Sequence, residues 1–214
     1  MKSKAFLFST FVALAIMFSC NNSTTDTDQN NKELNHDSIV DITKDQVKDQ
    51  TKGTDLVNTE KLDNKTLSLS TEKIIFSFET DKGKTMSLSM DKNNKYLVYR
   101  FGQSGKVELQ YPTELTNTFD KFTYNYYMRG GGPGNAGLDL NYVSFTGDTH
   151  KVIIFDEYSA GDPDNPKESE TVGIRLVDLK TGKEIKIRGL IKTKKGTLVD
   201  FRDNGLIQVK DGEI

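Results

Sequence analysis

The 214-residue chain is 28% charged but has a formal net charge of only −2, so it lacks the basic excess with which nucleic-acid-binding domains hold phosphates. Its single cysteine excludes a disulfide within the chain, and with it a fold held together by disulfides. The length accommodates one domain of ordinary size together with shorter segments.

The first nineteen residues have the layout of a secretory signal peptide. Lys2 and Lys4 precede an apolar run over 5–18, and Ser19-Cys20 follows it. The run is shorter than the roughly 20 apolar residues that a membrane-spanning helix needs. The pattern therefore predicts export, with residues 1–19 removed.

Ser19-Cys20 after an apolar run resembles the lipobox of bacterial lipoproteins, although Met17 and Phe18 depart from its usual residues. The resemblance implies that Cys20 carries a diacylglycerol and an acylated amino end, with fatty chains such as palmitate anchoring the protein in a membrane. Two or more acyl chains give stable anchorage. By the sorting rule of enterobacteria, the absence of an acidic residue after Cys20 favours the outer membrane of a Gram-negative cell. The alternative is cleavage after Ala15, which leaves Cys20 as a free thiol.

Residues 20–72 are expected to form the lipidated end and a disordered tether. Residues 21–72 contain no aromatic side chain, eleven acidic residues and six lysines. Such a segment buries too little apolar surface to offset the entropy of ordering. About 50 flexible residues span roughly 40 Å. A weak helix over 40–56 is the structured alternative.

Residues 73–214 are expected to form one β domain. All eight tyrosines lie there, and its twenty acidic and twenty-one basic residues nearly balance. Apolar residues alternate with polar ones over 86–90, 107–111, 138–142 and 185–187, and turn sequences separate these runs. The pattern predicts an all-β fold, an antiparallel sandwich or barrel of about nine to eleven strands, with no helix.

The stretch RGGGPGNAG at 129–137 contains the spacing G-x-G-x-x-G, which cradles a pyrophosphate when a helix follows it. Here strand-like sequences, FTYNYYM and LDLNYVSF, lie on both sides. A long hairpin connection is therefore predicted, and no dinucleotide site. Aromatic and arginine side chains are enriched at binding hot spots, so the residues flanking the loop are candidate binding residues: Tyr124, Tyr126, Tyr127 and Arg129. A plain flexible loop is the alternative.

The sequence offers few catalytic groups. Of its two histidines, His36 lies in the predicted tether and His150 is expected in a solvated turn. Neither a G-x-S-x-G nor an H-E-x-x-H motif is present. Asp156 and Glu157 are adjacent in a predicted strand, so they point to opposite faces and do not converge. The domain is therefore expected to be non-catalytic and to need no cofactor.

The loop SAGDPDNPKESE at 159–170 brings several oxygen ligands close together, which makes calcium a weak alternative. These ligands are Asp162, Asp164, Asn165 and Glu168. The loop lacks the order of an EF-hand, and its two prolines favour a plain solvated loop, so no metal is expected.

The sequence YLVYRFGQSGKVELQYP at 96–112 resembles the core of an uncharacterised family of secreted, β-rich bacterial proteins. FTYNYYMRGGG at 122–132 and LNYVSFTGDTHKVIIFDEY at 140–158 are similar to its following hairpins, so the resemblance covers about 84–178. It implies a β fold and no established activity. Within it, Arg100 is expected to pair with Glu108 across a hairpin; a ligand-binding Arg100 is the alternative.

These features predict a lipid-anchored cell-envelope protein whose β domain binds a protein or glycan partner and no nucleic acid. Three alternatives remain: an inhibitor of a cell-wall hydrolase, a hydrolase of envelope polysaccharide, and a structural component of an outer-membrane assembly.

Overall fold

The computed structural model describes residues 61–132, 135–161 and 167–210. This part of the protein is all-β, which confirms the prediction, and contains three short 3₁₀ turns, at Thr118–Lys121, Ile191–Thr193 and Leu198–Phe201. Within it, no helix has the length and apolar character to cross a membrane. The strands are β1 (Glu72–Glu79), β2 (Thr85–Asp91), β3 (Leu97–Gln103), β4 (Lys106–Tyr111), β5 (Thr123–Arg129), β6 (Leu138–Thr146), β7 (His150–Ser159), β8 (Ser169–Asp178), β9 (Glu184–Arg188), β10 (Lys195–Gly196) and β11 (Gln208–Val209).

The strands form two sheets, so the described fold is a sandwich and not a barrel. A five-stranded sheet has the order β10-β1-β2-β3-β4, and a six-stranded sheet has the order β11-β5-β6-β7-β8-β9. The described strand pairs are antiparallel except β11 with β5, which is parallel. Consecutive strands pair through short turns such as that at Gly105, whose φ of 71° favours glycine.

The main core lies between the two sheets. Alternate residues of β2 enter it, as the sequence pattern predicts, and meet side chains of β6 and β7 such as Val143 and Ile154. Tyr99 of β3 packs against Phe145 of β6 with ring centroids 5.1 Å apart. Because each fully buried apolar side chain stabilises the fold by roughly 1.5–3 kcal/mol, this two-layer core is the main source of stability.

Residues 61–71, the N-terminal flap, are part of the described fold. Leu67 is fully buried, and Thr66 and Ser68 are buried beside it. The Leu67 carbonyl accepts a hydrogen bond from Arg100 of β3 at 3.2 Å. The predicted start of the domain at Lys73 is therefore too late. The flap has no aromatic residue, but one buried leucine and several polar contacts hold it in the fold.

The outer face of the six-stranded sheet carries a smaller apolar cluster. Tyr142, Ile153 and Phe155 are buried there. The Phe155 ring lies on Gly173, where an added Cβ would come within 2.4 Å of it. Arg175 lies over the Tyr142 ring at 5.1 Å, and Lys186 lies over the Phe155 ring at 4.5 Å. Long cationic side chains thus shield this cluster from water.

Candidate functional site

The glycine-rich stretch connects two paired strands, which confirms the predicted hairpin. β5 pairs with β6 over the whole length from Thr123 to Arg129, and Gly132 bridges Asn135 beyond it. A strand and not a helix follows, so the loop lacks the helix N-terminus that holds a pyrophosphate. Residues 133–134 lie outside the described residues.

Gly137, which precedes β6, lies beside Ala160, which follows β7. The amide of Ala160 donates to the carbonyl of Gly137 at 2.8 Å. An added Cβ at Gly137 would contact the Ala160 side chain at 3.4 Å, so glycine allows this close approach. We call this end of the six-stranded sheet, where β5 and β7 end and β6 and β8 begin, the loop end.

The predicted binding residues of β5 divide between its two faces. Tyr124 is fully buried in the core, and its hydroxyl donates to Asn141. Tyr126 is half-buried and stacks on Tyr124 with ring centroids 5.7 Å apart. Tyr127 points the other way and is 45% exposed. Arg129 donates through Nε to the Ala136 carbonyl at 3.0 Å, which ties it to the glycine loop.

The strand register places charged and polar side chains next to one another on the core-facing side of the loop end. Two rows cross the strands there, Tyr126–Asn141–Asp156–Val172 and Met128–Asp139–Tyr158–Glu170. The segment from Leu190 to Ile207 packs against these rows through Leu198 and Phe201, which are buried in the main core. The loop end is therefore built from β5–β8 and from this later segment.

Arg202 attaches the later segment to β6. Its Nη2 donates to Asp139 at 2.7 Å and to Asn141 at 2.9 Å. Its guanidinium lies over the Tyr126 ring at 4.6 Å, and its Nη1 lies 3.4 Å from the sulfur of Met128. Four residues thus hold this cation in one position.

Lys194 makes the second attachment. Its Nζ donates to Asp156 at 2.8 Å and to Glu170 at 2.5 Å. Burial raises the pKa of Asp156, and the bonds to Lys194 offset only part of that effect. Burial lowers the pKa of Lys194, but the bonds to Asp156 and Glu170 outweigh it and raise this pKa above its ordinary value. The bonds from Lys194 to Asp156 of β7 and Glu170 of β8 therefore hold the later segment on these two strands.

Met128 and Tyr158 lie on the same face of the sheet as these ion pairs, whereas Tyr127 lies on the opposite face of β5. Tyr127 is 45% exposed, Met128 61% and Tyr158 38%, and all three lie at the loop end. The other exposed large apolar side chains of the described residues are spread over the rest of the surface, at Leu179, Ile191 and Val209. The loop end thus combines exposed apolar surface with oriented charges, which suits it to contact a partner.

The prediction for Asp156 and Glu157 is confirmed, whereas that for the 159–170 loop stays a prediction. Glu157 accepts from the Tyr142 hydroxyl at 3.0 Å, on the face opposite to that of Asp156, so the two adjacent carboxylates do not converge, as predicted. Within the described residues no group of three metal-ligating side chains occurs. Glu168 is exposed, whereas Asp162, Asp164 and Asn165 lie outside the described residues.

The predictions for His150 and for the partner of Arg100 are wrong. His150 begins β7 and is only 8% exposed, with Nε2 at 3.8 Å from Asp178, because the preceding turn ends one residue earlier. Arg100 pairs with Glu72 at 2.6 and 2.8 Å. Glu108, its predicted partner, binds Lys84 instead.

Arg100 is also closed to a ligand in this arrangement. Its Nε donates to Gln110 at 2.8 Å, and the flap covers its guanidinium.

Sequence reasoning missed Arg202, Lys194, Asp139 and Asn141. A signal for two of them exists, since Asp139 and Asn141 occupy alternate positions of a strand and so share a face. Arg202 lies 63 residues from Asp139, and Lys194 lies 38 residues from Asp156, so no local pattern marks either cation.

Comparisons with protein-family models, with curated proteins and with solved structures give no match for this chain. The predicted lipidation site Cys20, the tether up to residue 60 and the alternative helix over 40–56 lie outside the described residues. The interpretation of the loop end therefore depends on its geometry alone.

Proposed function

We propose that the protein is a lipid-anchored component of the cell envelope whose non-catalytic β domain binds a protein or glycan partner through the loop end. The observation that carries this proposal is that Met128 and Tyr158, which are 61% and 38% exposed, lie beside the Arg202 and Lys194 ion pairs. Tyr127, which is 45% exposed, lies at the same end of the sheet on the opposite face of β5. Aromatic residues, Met and Arg are the types enriched where proteins bind partners.

The oriented charges favour binding for a second reason. Arg202 and Lys194 are already fixed by hydrogen bonds to Asp139 and Asp156. A side chain that is ordered before binding loses less conformational entropy when a partner arrives. Met128, in contrast, has a flexible side chain that adapts its shape to the surface it meets.

The proposed location comes from the sequence. An export signal that is followed directly by Cys20 supports a lipid anchor in the outer membrane. The long polar segment that follows would give the domain a reach of about 40 Å from the bilayer. An anchored domain with such reach is suited to hold a neighbouring envelope component.

The proposal is tested by affinity capture from an envelope extract of the source cells, with the full-length protein in detergent as bait. The double variant Met128→Gln, Tyr158→Gln is compared with Leu179→Gln, which changes a side chain that is 51% exposed far from the loop end. We expect the wild type and Leu179→Gln to capture the same partner. Capture by the double variant should fall about tenfold or more, since central apolar contacts dominate binding.

Equal capture by all three proteins would contradict the loop-end site. Protease treatment of the extract before capture separates the two partner classes, because a glycan survives it. Circular dichroism of each variant shows whether the β fold is retained.

A further inference from the structure

A second surface feature lies at the opposite end of the six-stranded sheet. There the start of β5, the end of β6 and the turn Thr118–Lys121 enclose an open groove of about 370 Å³. Tyr111 and Phe145 form one wall, with their rings stacked at 4.1 Å. The groove is therefore separate from the loop end and has a rigid aromatic side.

Three lysines line this groove: Lys121, Lys151 and Lys210. Among the described residues that line the groove, the one carboxylate is that of Asp120, which lies 3.5 Å from Lys121. Neither Lys151 nor Lys210 forms an ion pair with any residue that the structure describes. In a domain with nearly balanced charge, this groove has a local excess of positive charge.

Neutral polar groups complete the lining. Thr123, Asn125 and Ser144 face the groove from adjacent strands. The Asn125 side chain is buried and donates to the carbonyl of Lys210 at 2.9 Å, which fixes the backbone that carries this lysine. Hydroxyl and amide groups fixed on strands form directional hydrogen bonds, as the hydroxyl groups of a sugar require.

We propose that this groove binds an anionic saccharide, with Lys151 and Lys210 holding its carboxylate or phosphate. The hydroxyl and amide groups of Thr123, Asn125 and Ser144 then bond the sugar hydroxyls, and the Tyr111 ring packs against its apolar face. The volume suits one or two sugar units, since pockets for small ligands start near 300 Å³. A long nucleic acid would instead need an extended basic surface, which the balanced charge of the domain does not provide.

This inference is independent of the loop end, so either site can fail without the other. The test is titration calorimetry on the full-length protein in detergent, with three probes: trigalacturonate for the carboxylate, glucose 6-phosphate for the phosphate, and neutral maltotriose. We expect one anionic probe to bind and maltotriose not to bind. Binding should weaken as salt is raised, because salt screens exposed charges.

Two double variants with the same change in charge identify the site. Lys151→Gln, Lys210→Gln removes the two groove lysines that lack an ion pair among the described residues, whereas Lys82→Gln, Lys106→Gln removes two exposed lysines of the other sheet, one in the turn before β2 and one at the start of β4. We expect the first to bind the anionic probe about tenfold more weakly or worse, as loss of two close charge contacts predicts. The second should bind like the wild type.

Three outcomes overturn the proposal: neither anionic saccharide binds, both double variants bind as the wild type does, or inorganic phosphate binds as tightly as the sugar. Unchanged thermal unfolding of the groove variant shows that a loss of binding does not come from a loss of folding. Preference for trigalacturonate or for glucose 6-phosphate identifies the anion.

Discussion

Arg100 and Glu72 form an ion pair that is almost wholly removed from solvent. Two parallel hydrogen bonds join them, at 2.6 and 2.8 Å, and the side chains are 3% and 0% exposed. Such a pair adds little net stability when it is intact, because desolvation of both charges offsets their attraction. Its importance appears when one partner is removed and the other charge stays buried.

Glu72→Gln should therefore destabilise the domain by about 3 kcal/mol, since it leaves the buried Arg100 charge unpaired. Glu79→Gln is the matched control, because it makes the same change on the same strand at an exposed position. Urea unfolding of the full-length protein measures both free energies. A loss for Glu72→Gln as small as that for Glu79→Gln would contradict a buried pair.

The partner of Arg100 illustrates what the sequence does not contain. A hairpin predicts contacts between residues that oppose each other across one turn, and Arg100 does oppose Gln110 and bond to it. Glu72 is 28 residues away, at the start of β1, and it meets Arg100 of β3 across β2, which lies between these two strands. Strand order therefore determines this pair, and local patterns do not reveal strand order.

At the scale of elements, the N-terminal flap is held by a turn around Asp63. Its carboxylate accepts hydrogen bonds from the amides of Lys65 and Thr66 at 2.8 and 2.9 Å. The Asp63 carbonyl accepts from the Leu67 amide at 2.9 Å, so the turn supports the buried leucine. The two amide bonds lower the pKa of Asp63 below its ordinary value.

This lowered pKa predicts how the flap depends on pH. A carboxyl group whose pKa is lower in the folded state stabilises above its unfolded pKa, and this effect is lost as the pH falls through its folded pKa. Below about pH 4, hydrogen-exchange protection of the Leu67 amide should fall relative to that of Leu88 in β2. Asp63→Asn keeps an accepting oxygen but does not titrate, so most of the dependence should vanish. An unchanged pH profile in Asp63→Asn would show that Asp63 does not hold the flap.

Alternation along β6 shows how far a period of two can predict structure. The pattern correctly predicts that Leu140 and Tyr142 share a face, but this is the outer face. Val143 and Phe145, with the opposite phase, enter the main core. At the loop end the core-facing positions are polar because Arg202 binds there, and the period alone cannot tell which face meets the second sheet.

For the whole molecule, the all-β class and the strand number follow from short alternating runs between turns. The division into two sheets depends on pairing between strands that are distant in the sequence. The loop end depends on the segment from Leu190 to Ile207, which crosses from one sheet to the other. That segment carries Lys194 and Arg202 to β7 and β6. The sequence thus predicted β5, the strand that carries Tyr127 at the loop end. It did not predict the two cations of the loop end, Arg202 and Lys194.

The proposed location of the molecule depends on Cys20. Cys20→Ser should move the protein from the membrane fraction to the soluble fraction, because an acyl group contributes about 0.8 kcal/mol per buried CH₂ and the variant has no thiol to carry the diacylglycerol. Cell fractionation measures this shift, and intact mass of the wild type should show the added lipid on a chain that begins at Cys20. Asn21→Ser, one residue further along, is the control that should stay in the membrane. A native chain that begins at Ile16 without acyl mass would contradict the anchor and leave the loop end to act in a soluble protein.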